Sequence, residues 1–254
     1  MKKLVRRIVN RIKITLFGHP HMKAVAYNEL YLPPFRENQG LSNNETYIQS
    51  AIDQIVHLSQ HYQFNKDSVV LDFGCGQARL VNGFKTLGTN LGAYYGIDTH
   101  LKSINWCKKW ISPYGSEFNF GHVAAHNARY NKTAEKLLPL PFDSNKFDLI
   151  FLNSVFSHMM TDDVSYYLNE FERTMKNEST LYVTAFVEED VPDVEDNPDN
   201  YLGEAKGTLH RVRFEKKFFL GLFERAGFNV EVFSHQHITR TKQSVIIAKK
   251  MVKP

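Results

Sequence analysis

The sequence predicts an α/β domain built around one doubly wound sheet, and three observations lead to that fold class. From residue 69 to about residue 226, short apolar runs typical of strands alternate with stretches of helical periodicity. The last two predicted strands are separated only by the mostly polar residues 235–243, and so short a connection allows antiparallel pairing alone. A length of 254 residues fits one large domain, or one domain with a small appendage. We therefore expect a mostly parallel sheet with one antiparallel strand from a C-terminal hairpin.

The elements follow in chain order. Residues 18–44 contain scattered glycines and prolines, which predicts a loop. Apolar residues recur at helical spacing over residues 45–62, so we expect a helix there. The predicted strands are Val69–Phe73, Ala93–Asp98, Phe118–Ala124, Phe147–Asn153, Thr180–Val187, Phe228–Ser234 and Ser244–Lys249. The predicted helices between them are residues 78–87, Leu101–Trp110, Asp162–Met175 with Thr161 as its N-cap, and Glu215–Ala226, which ends at Gly227.

Composition and charge exclude several classes of protein. Hydrophobic residues make up 43% of the chain and charged residues 23%, which is ordinary for a globular protein. A net charge of +4 is only mildly basic and does not by itself indicate a nucleic-acid partner. Two cysteines, Cys75 and Cys107, form neither a disulfide framework nor a zinc-site spacing, so we expect a reducing cytoplasmic location. The sequence has no run of about 18 apolar residues, so we expect no transmembrane helix.

The N-terminal segment MKKLVRRIVNRIKITLF interleaves basic and apolar residues. This pattern is typical of a basic amphipathic helix, which could make peripheral contact with an anionic membrane. A helix docked on its own domain, or a loosely ordered tail, explains the same pattern. The segment lacks the apolar core and cleavage site of a signal peptide. We divide the chain into an N-terminal basic segment with a cap helix, residues 1–64, and a main domain, residues 65–254.

A glycine loop follows the first predicted strand in the stretch VVLDFGCGQAR. Gly74 and Gly76 permit unusual backbone angles and a close approach to a ligand at the carboxyl edge of the sheet. A dinucleotide fingerprint would place a third glycine where this chain has Arg79. Asp72 would also disfavour a pyrophosphate and favour a cationic ligand group, because pyrophosphate sites are positive. Alternatively, Asp72 orders the loop by accepting backbone hydrogen bonds.

A second acid ends the next predicted strand. Asp98 follows Gly76 by 22 residues, a position suited to accept both hydroxyls of a ribose. It could equally cap the helix that follows. Together, the glycine loop and the two acids describe an adenosine with a cationic amino-acid substituent.

These residues make the chain similar to the class I S-adenosylmethionine-dependent methyltransferases, with features of the branch that acts on small molecules and sugars. The resemblance covers about residues 65–250 and rests on four segments. They are VVLDFGCGQAR, YYGID, LPLPFDSNKFDLIFLNSVFSHM and FFLGLFERAGFNVEVF. It implies a Rossmann-like, doubly wound, seven-stranded sheet whose seventh strand is antiparallel. It also implies S-adenosylmethionine as the cofactor and S-adenosylhomocysteine as the product.

The resemblance implies a set of cofactor-binding residues. They are Asp72, Gly74, Cys75, Gly76, Asp98, Thr99, Asn127, Asn153 and Ser154. The glycine loop and Asp72 would contact the methionine part, Asp98 would hold the ribose, and the pair after strand four would close the pocket. The branch often has an acid where this chain has Ala124, which leaves His126, Asn127 or backbone groups to bind the adenine amine.

The segment NSVFSHMM follows the fourth strand of the main domain. Asn153 stands alone there, without the two prolines and tyrosine that amino-directed nucleic-acid methyltransferases have, so we expect no nucleic-acid substrate. The sequence lacks the carboxylate pattern of a metal-dependent catechol-type site, so we expect no metal. His158 is a candidate general base, because a histidine titrates near neutrality and could take a proton from an acceptor hydroxyl. It could instead order the pocket by bonding loop backbone.

The acidic run VEEDVPDVEDNPDN follows strand five. It is either a solvated flexible loop or a lid over the acceptor. Other candidate bases in and after it are Glu188, Glu189, Asp190 and His210. The aromatic residues Tyr31, Phe35 and Tyr47 precede strand one and either pack in a core or line the acceptor pocket.

We expect an O-methyltransferase acting on a small-molecule hydroxyl, such as that of a sugar, a glycan or a lipid-linked intermediate in glycan biosynthesis. The alternatives are an N- or C-methyltransferase of a small metabolite, a catalytically silent cofactor-binding partner subunit, and a nicotinamide-dependent oxidoreductase. Methyl transfer depends mainly on alignment, since the sulfonium is already activated.

Overall fold

The computed structural model describes residues 22–34, 43–123, 137–205 and 207–252. The strands are β1 (Val25–Tyr27), β2 (Leu30–Leu32), β3 (Val69–Phe73), β4 (Ala93–Asp98), β5 (Phe118–His122), β6 (Phe147–Leu152), β7 (Met175–Glu188), β8 (Val194–Asp196), β9 (Val212–Glu215), β10 (Phe228–Ile238) and β11 (Gln243–Lys250). The helices are α1 (Asn44–Ser59), α2 (Arg79–Leu87), α3 (Leu101–Trp110), α4 (Thr161–Thr174) and α5 (Lys216–Arg225). Short 3₁₀ turns cover Ser112–Tyr114 and Phe156–His158.

The main sheet has the strand order β5-β4-β3-β6-β7-β11-β10. Strands β3 to β7 pair in parallel, whereas β11 runs antiparallel to both of its neighbours, β7 and β10. The strand order reverses between β3 and β6: β4 and β5 follow on one side, and β7 and the terminal hairpin follow on the other. This arrangement is the doubly wound one that the alternation of strands and helices predicts. The prediction of a doubly wound, mostly parallel sheet with an antiparallel strand from a C-terminal hairpin is confirmed.

Helices cover both faces of this sheet. One core lies between the sheet and α4 and α5, and includes Phe171 and Phe219. The other lies under α1, α2 and α3, and includes Trp106. Helix α1 packs closely on α2 because Gly83 has no side chain, and a Cβ there would lie 3.0 Å from the backbone carbonyl carbon of Ala51. This contact fixes α1 beside the glycine loop.

Several local predictions need correction. Part of the segment expected to be a loop forms the antiparallel hairpin of β1 and β2. Strand β7 begins at Met175, earlier than expected, because Met175 pairs with Phe147 of β6. The N-cap of α4 is Met160, so Thr161 is the first helical residue and makes no side-chain cap. The short strands β8 and β9 were not expected. Strand β9 pairs in parallel with the carboxyl end of β7, and β8 pairs antiparallel with β9.

Candidate active site

A cavity of about 570 Å³ opens at the carboxyl ends of β3, β4, β6 and β7. Nine of the ten residues predicted for the site line it, namely Asp72, Gly74, Cys75, Gly76, Asp98, Thr99, Asn153, Ser154 and His158. The tenth, Asn127, lies outside the described residues, as do Ala124, His126, Phe35 and the basic segment 1–17. The carboxyl ends of the parallel strands therefore bring the predicted polar groups to one edge of the sheet.

The glycine loop forms one wall of the cavity and requires glycine at its first position. Gly74 has a φ of +77°, and a Cβ there would lie 2.5 Å from Cγ2 of Val155. The backbone N–H groups of Gly74 and Cys75 both donate to the carbonyl oxygen of Ile97, at 2.8 and 3.1 Å. The loop is thus held against β4. The next turn places Ala78 at a φ of 53°, before α2 begins at Arg79.

Asp72 is buried on the floor of the cavity, with 4% of its surface exposed. The hydroxyl of Tyr94 donates to Oδ2 of Asp72 at 2.5 Å. Burial raises the pKa of Asp72 to about 7, although the Tyr94 hydrogen bond and the positive charge of Arg79 oppose the rise. A buried carboxylate with this pKa would be stabilised by a cation placed in the cavity beside it.

Asp98 joins the ends of β3 and β4. Its Oδ2 accepts from the backbone N–H of Gly76 at 2.8 Å, and its Oδ1 accepts from that of His100 at 2.7 Å. Burial raises the pKa of Asp98, while these two backbone hydrogen bonds oppose the rise. Asp98 therefore has a structural role, because it ties the glycine loop to His100. The alternative expected from the sequence was a cap of the following helix, whose N-cap is His100 instead. A carboxylate has about four acceptor sites, so these two bonds leave room for ligand hydroxyls.

The two residues after β6 are held from distant parts of the chain. The amide Nε2 of Gln54 on α1 donates to Oδ1 of Asn153 at 2.8 Å. Ser154 has a φ of 59°, and its hydroxyl donates to Oε1 of Gln243 at 2.9 Å. Its backbone N–H donates to the hydroxyl oxygen of Thr184 at 2.8 Å. These bonds fix the loop after β6. Ser154 is held both by Thr184 of β7 and by Gln243 of β11.

His158 lies in the 3₁₀ turn Phe156–His158 and lines the cavity. Its Nδ1 is 2.9 Å from the carbonyl oxygen of Leu209. A carbonyl only accepts, so Nδ1 carries the hydrogen and the neutral ring has its lone pair on Nε2. The structural interpretation of His158 therefore has a direct basis, and the same bond sets the tautomer that a general base requires.

Two residues that line the cavity, Arg79 and Gln54, were not predicted from the sequence as binding residues. Arg79 donates from Nη1 to the hydroxyl oxygen of Ser50 at 2.7 Å, and from Nη2 to Oε1 of Gln54 at 3.1 Å. Burial lowers the pKa of Arg79, and both of these partners are neutral. The signal was present for Arg79, which directly follows the glycine loop. No local pattern marks Gln54, since its role depends on the packing of α1 against the main sheet.

Three acids of the acidic run have basic partners. Glu195 pairs with Arg213, Glu189 with Lys216 at 2.7 Å, and Glu188 with His235 at 2.7 Å. Glu189 is nevertheless 68% exposed, so both interpretations of the run, a solvated loop and a lid, remain predictions. Leu202, just beyond the run, lines the cavity, as does His210.

Other candidates lie away from the cavity. The possible bases Glu188, Glu189 and Asp190 do not line it. Tyr47 of α1 is buried in a small core with Leu30 and Leu32 of β2, which gives it a packing role. Tyr31 contacts Trp110 but is 38% exposed, and it does not line the cavity. Among the described residues, no group of three His, Cys, Asp or Glu side chains could hold a metal ion. Within those same ranges, no helix has the length and apolar character needed to cross a bilayer.

Comparisons with known proteins agree with this fold. A family model described as a methyltransferase domain matches residues 64–240. The 4+2-cyclase SpnF aligns with a TM-score of 0.59 at 15% identity, over 96% of this chain and 96% of that chain. The 1,6-didemethyltoxoflavin-N1-methyltransferase of Burkholderia thailandensis, solved with 1,6-didemethyltoxoflavin and S-adenosylhomocysteine, gives 0.54 at 16% identity, over 86% and 84% of the two chains.

Magnesium protoporphyrin IX methyltransferase from Synechocystis PCC 6803, solved with bound S-adenosylhomocysteine, also aligns with this chain. Its TM-score is 0.54 at 13% identity, over 98% of this chain and 100% of that chain. At such low identities the likeness concerns the fold alone. The 4+2-cyclase among these structures means that the fold by itself does not define the reaction.

Proposed function

We propose that this chain, which belongs to the methyltransferase-domain family, binds S-adenosylmethionine and transfers its methyl group to a hydroxyl of a small molecule. The observation that carries the proposal is one cavity that holds the glycine loop, the buried acid Asp72 and the half-buried acid Asp98. An acceptor of sugar, glycan or lipid-linked type follows from the resemblance of the sequence to that branch. The two methyltransferase structures with bound S-adenosylhomocysteine support the choice of cofactor.

The cavity offers a partner for each polar part of this cofactor. Asp98 would accept the ribose hydroxyls with its remaining acceptor sites. The methionine part carries an ammonium and a carboxylate. The cavity lining provides a group of opposite charge for each, the carboxyl of Asp72 and the guanidinium of Arg79. We assign the ammonium to Asp72 and the carboxylate to Arg79. Cys75 and Thr99 line the wall between these two ends.

The reaction is a displacement at the methyl carbon. The acceptor oxygen forms a bond to that carbon while the carbon–sulfur bond breaks, and the electron pair goes to sulfur, which becomes the neutral thioether of the product. The acceptor proton goes to Nε2 of His158, whose Nδ1 is already committed to Leu209. Most of the acceleration comes from holding the acceptor oxygen in line with the methyl group.

Cofactor binding tests the proposal first. We expect Asp98→Ala to weaken S-adenosylhomocysteine binding more than about tenfold by calorimetry, because the ribose loses its acceptor. Asp53→Ala is the matched control, since Asp53 is exposed on α1 and lies away from the cavity. An unchanged affinity for Asp98→Ala would contradict the ribose role, and tight nicotinamide binding without S-adenosylhomocysteine binding would refute the proposal.

Turnover tests the role of His158. We expect His158→Gln to reduce transfer of labelled methyl groups to a panel of hydroxyl acceptors more than it reduces cofactor affinity. His122→Gln is the control, because His122 is exposed and does not line the cavity. Equal turnover in His158→Gln would eliminate the general-base role. Cofactor binding with no turnover on hydroxyl, amine or carbon acceptors would instead indicate a catalytically silent partner subunit.

A further inference from the structure

Two cations lie on the turn that joins β10 and β11, at the mouth of the cavity. Arg240 and Lys242 both line the cavity, and both side chains are exposed. Among the residues that the structure describes, neither forms an ion pair with an acid. Unpaired surface cations are common, but two of them that line the same cavity favour an anionic ligand there.

Hydrogen bonds fix the backbone of the turn that carries these two side chains. The backbone N–H groups of Thr241 and Lys242 both donate to the carbonyl oxygen of Ile238, at 3.1 and 2.7 Å. Between the two cations, the hydroxyl of Thr241 is buried and has no hydrogen-bond partner among the described residues. The turn therefore presents two charged donors along the cavity.

The rest of the cavity does not neutralise this positive charge. Four of its lining residues are Lys or Arg and only two are acids. The two acids lie at the floor, where Tyr94 donates to Asp72 and backbone N–H groups donate to Asp98. Burial lowers the pKa of Arg79, and the positive charge of Arg240 lowers it further. The two guanidinium groups thus repel each other across the cavity.

The proposed cofactor accounts for one cation only. S-adenosylmethionine carries a single carboxylate, which Arg79 would bind, and its sulfonium adds another positive charge to the cavity. Arg240 and Lys242 then remain without an anion. A doubly charged oxyanion suits this pair, because the planar fork of Arg and the point charge of Lys can bind different oxygens of one group.

We infer that the methyl acceptor carries a phosphate group, which binds between Arg240 and Lys242 while the acceptor hydroxyl points toward the methyl group. This inference rests on the proposed function, and it names the class of acceptor. The phosphate anchors the acceptor at the mouth, and the neutral part reaches inward toward His158. Fixing one end of the acceptor in this way orients its hydroxyl for the displacement.

The test uses the full chain saturated with S-adenosylhomocysteine. Inorganic pyrophosphate is titrated into it by calorimetry at constant ionic strength, since exposed charges are screened by salt. We expect Arg240→Gln and Lys242→Gln each to weaken pyrophosphate binding at least about fivefold. The affinity of Lys242→Gln for S-adenosylhomocysteine should stay unchanged, because Lys242 is exposed at the mouth of the cavity. The affinity of Arg240→Gln for S-adenosylhomocysteine should fall less than its affinity for pyrophosphate, because Arg240 acts on the cofactor carboxylate only through its charge near Arg79. The matched controls are Arg225→Gln and Lys217→Gln, which remove exposed cations of α5 outside the cavity.

The outcomes separate this inference from the proposed function. Equal pyrophosphate binding by Arg240→Gln, no binding by the wild-type chain, or equally tight binding of succinate would overturn the phosphate assignment. A loss of S-adenosylhomocysteine affinity in Arg240→Gln as large as its loss of pyrophosphate affinity would assign this residue to the cofactor and also overturn the phosphate assignment. If the wild-type chain does not bind S-adenosylhomocysteine at all, the proposed function fails instead.

A second arm distinguishes the source of the phosphate. The loaded chain is sedimented with vesicles of phosphatidylcholine, with and without phosphatidic acid, and Arg240→Gln is compared with Arg225→Gln. Retention on phosphatidic acid that only Arg240→Gln reduces would support a lipid-borne phosphate. Pyrophosphate binding without such retention would support a soluble phosphorylated acceptor.

Discussion

Replacing Asp72 by Asn should stabilise the ligand-free protein at alkaline pH, although it removes a residue of the candidate site. Asp72 is buried, and burial raises its pKa from 3.8 to about 7. Between these two values the folded state keeps the proton, whereas the unfolded chain releases it. The free energy of unfolding therefore falls as the pH rises through this window, and the full penalty is present above about pH 7.

The size of the effect follows from the same two pKa values. A difference from 3.8 to about 7 corresponds to roughly 4 kcal/mol. Asn keeps an oxygen that can accept from the hydroxyl of Tyr94, and the charge assistance that this bond loses is already contained in the pKa of about 7. We expect Asp72→Asn to gain about 4 kcal/mol of unfolding free energy at pH 8, and to gain almost nothing near pH 4.

Urea unfolding at about pH 8 and about pH 4.5 measures this difference. Asp53→Asn on the exposed face of α1 is the matched control and should change stability equally at both pH values. A gain from Asp72→Asn that does not depend on pH, or a loss of stability at pH 8, would refute the argument. The same variant should bind S-adenosylhomocysteine more weakly, because the ammonium loses its anion. An unchanged affinity would mean that the ammonium lies elsewhere.

Three further predictions concern stability and are measured by urea or thermal unfolding. Gly74→Ala should cost about 2–5 kcal/mol, because it adds a clash with Val155 to the strain of a positive φ. Gly88→Ala, which has the same kind of φ and no atom near its Cβ, should cost only the strain, about 1–2 kcal/mol, and equal losses would remove the clash from the explanation. Ala78→Gly should change stability by less than about 1 kcal/mol, because relief of the φ of 53° is offset by the loss of a fully buried methyl group, and a loss above about 2 kcal/mol would contradict this. Burial lowers the pKa of His57 to about 4, so stability should fall as the pH drops from 6.5 toward 4; His57→Phe should lessen that fall, and an unchanged acid profile would count against it.

Local sequence patterns were sufficient for the sheet and for the cofactor end of the site. The alternation of apolar runs and helical spacing depends on neighbouring residues, so it is visible in the chain itself. The short connection between β10 and β11 fixed their antiparallel pairing, as the structure has it. The positions of Asp72 and Asp98 followed from the same reasoning, because parallel strands bring their carboxyl ends to one edge.

Only the tertiary structure decided how the site is assembled from distant segments. Gln54 bonds to Asn153 across 99 residues of sequence, and His158 bonds to Leu209 across 51. The cations of the β10–β11 turn reach the same cavity as Arg79 through strand order rather than through any local motif. A local pattern reports which face of an element is buried, but the partners of its polar groups depend on how the elements pack. For that reason the sequence by itself predicted which residues meet at the carboxyl edge of the sheet, and the packing of α1 and the terminal hairpin determined which other groups line the cavity.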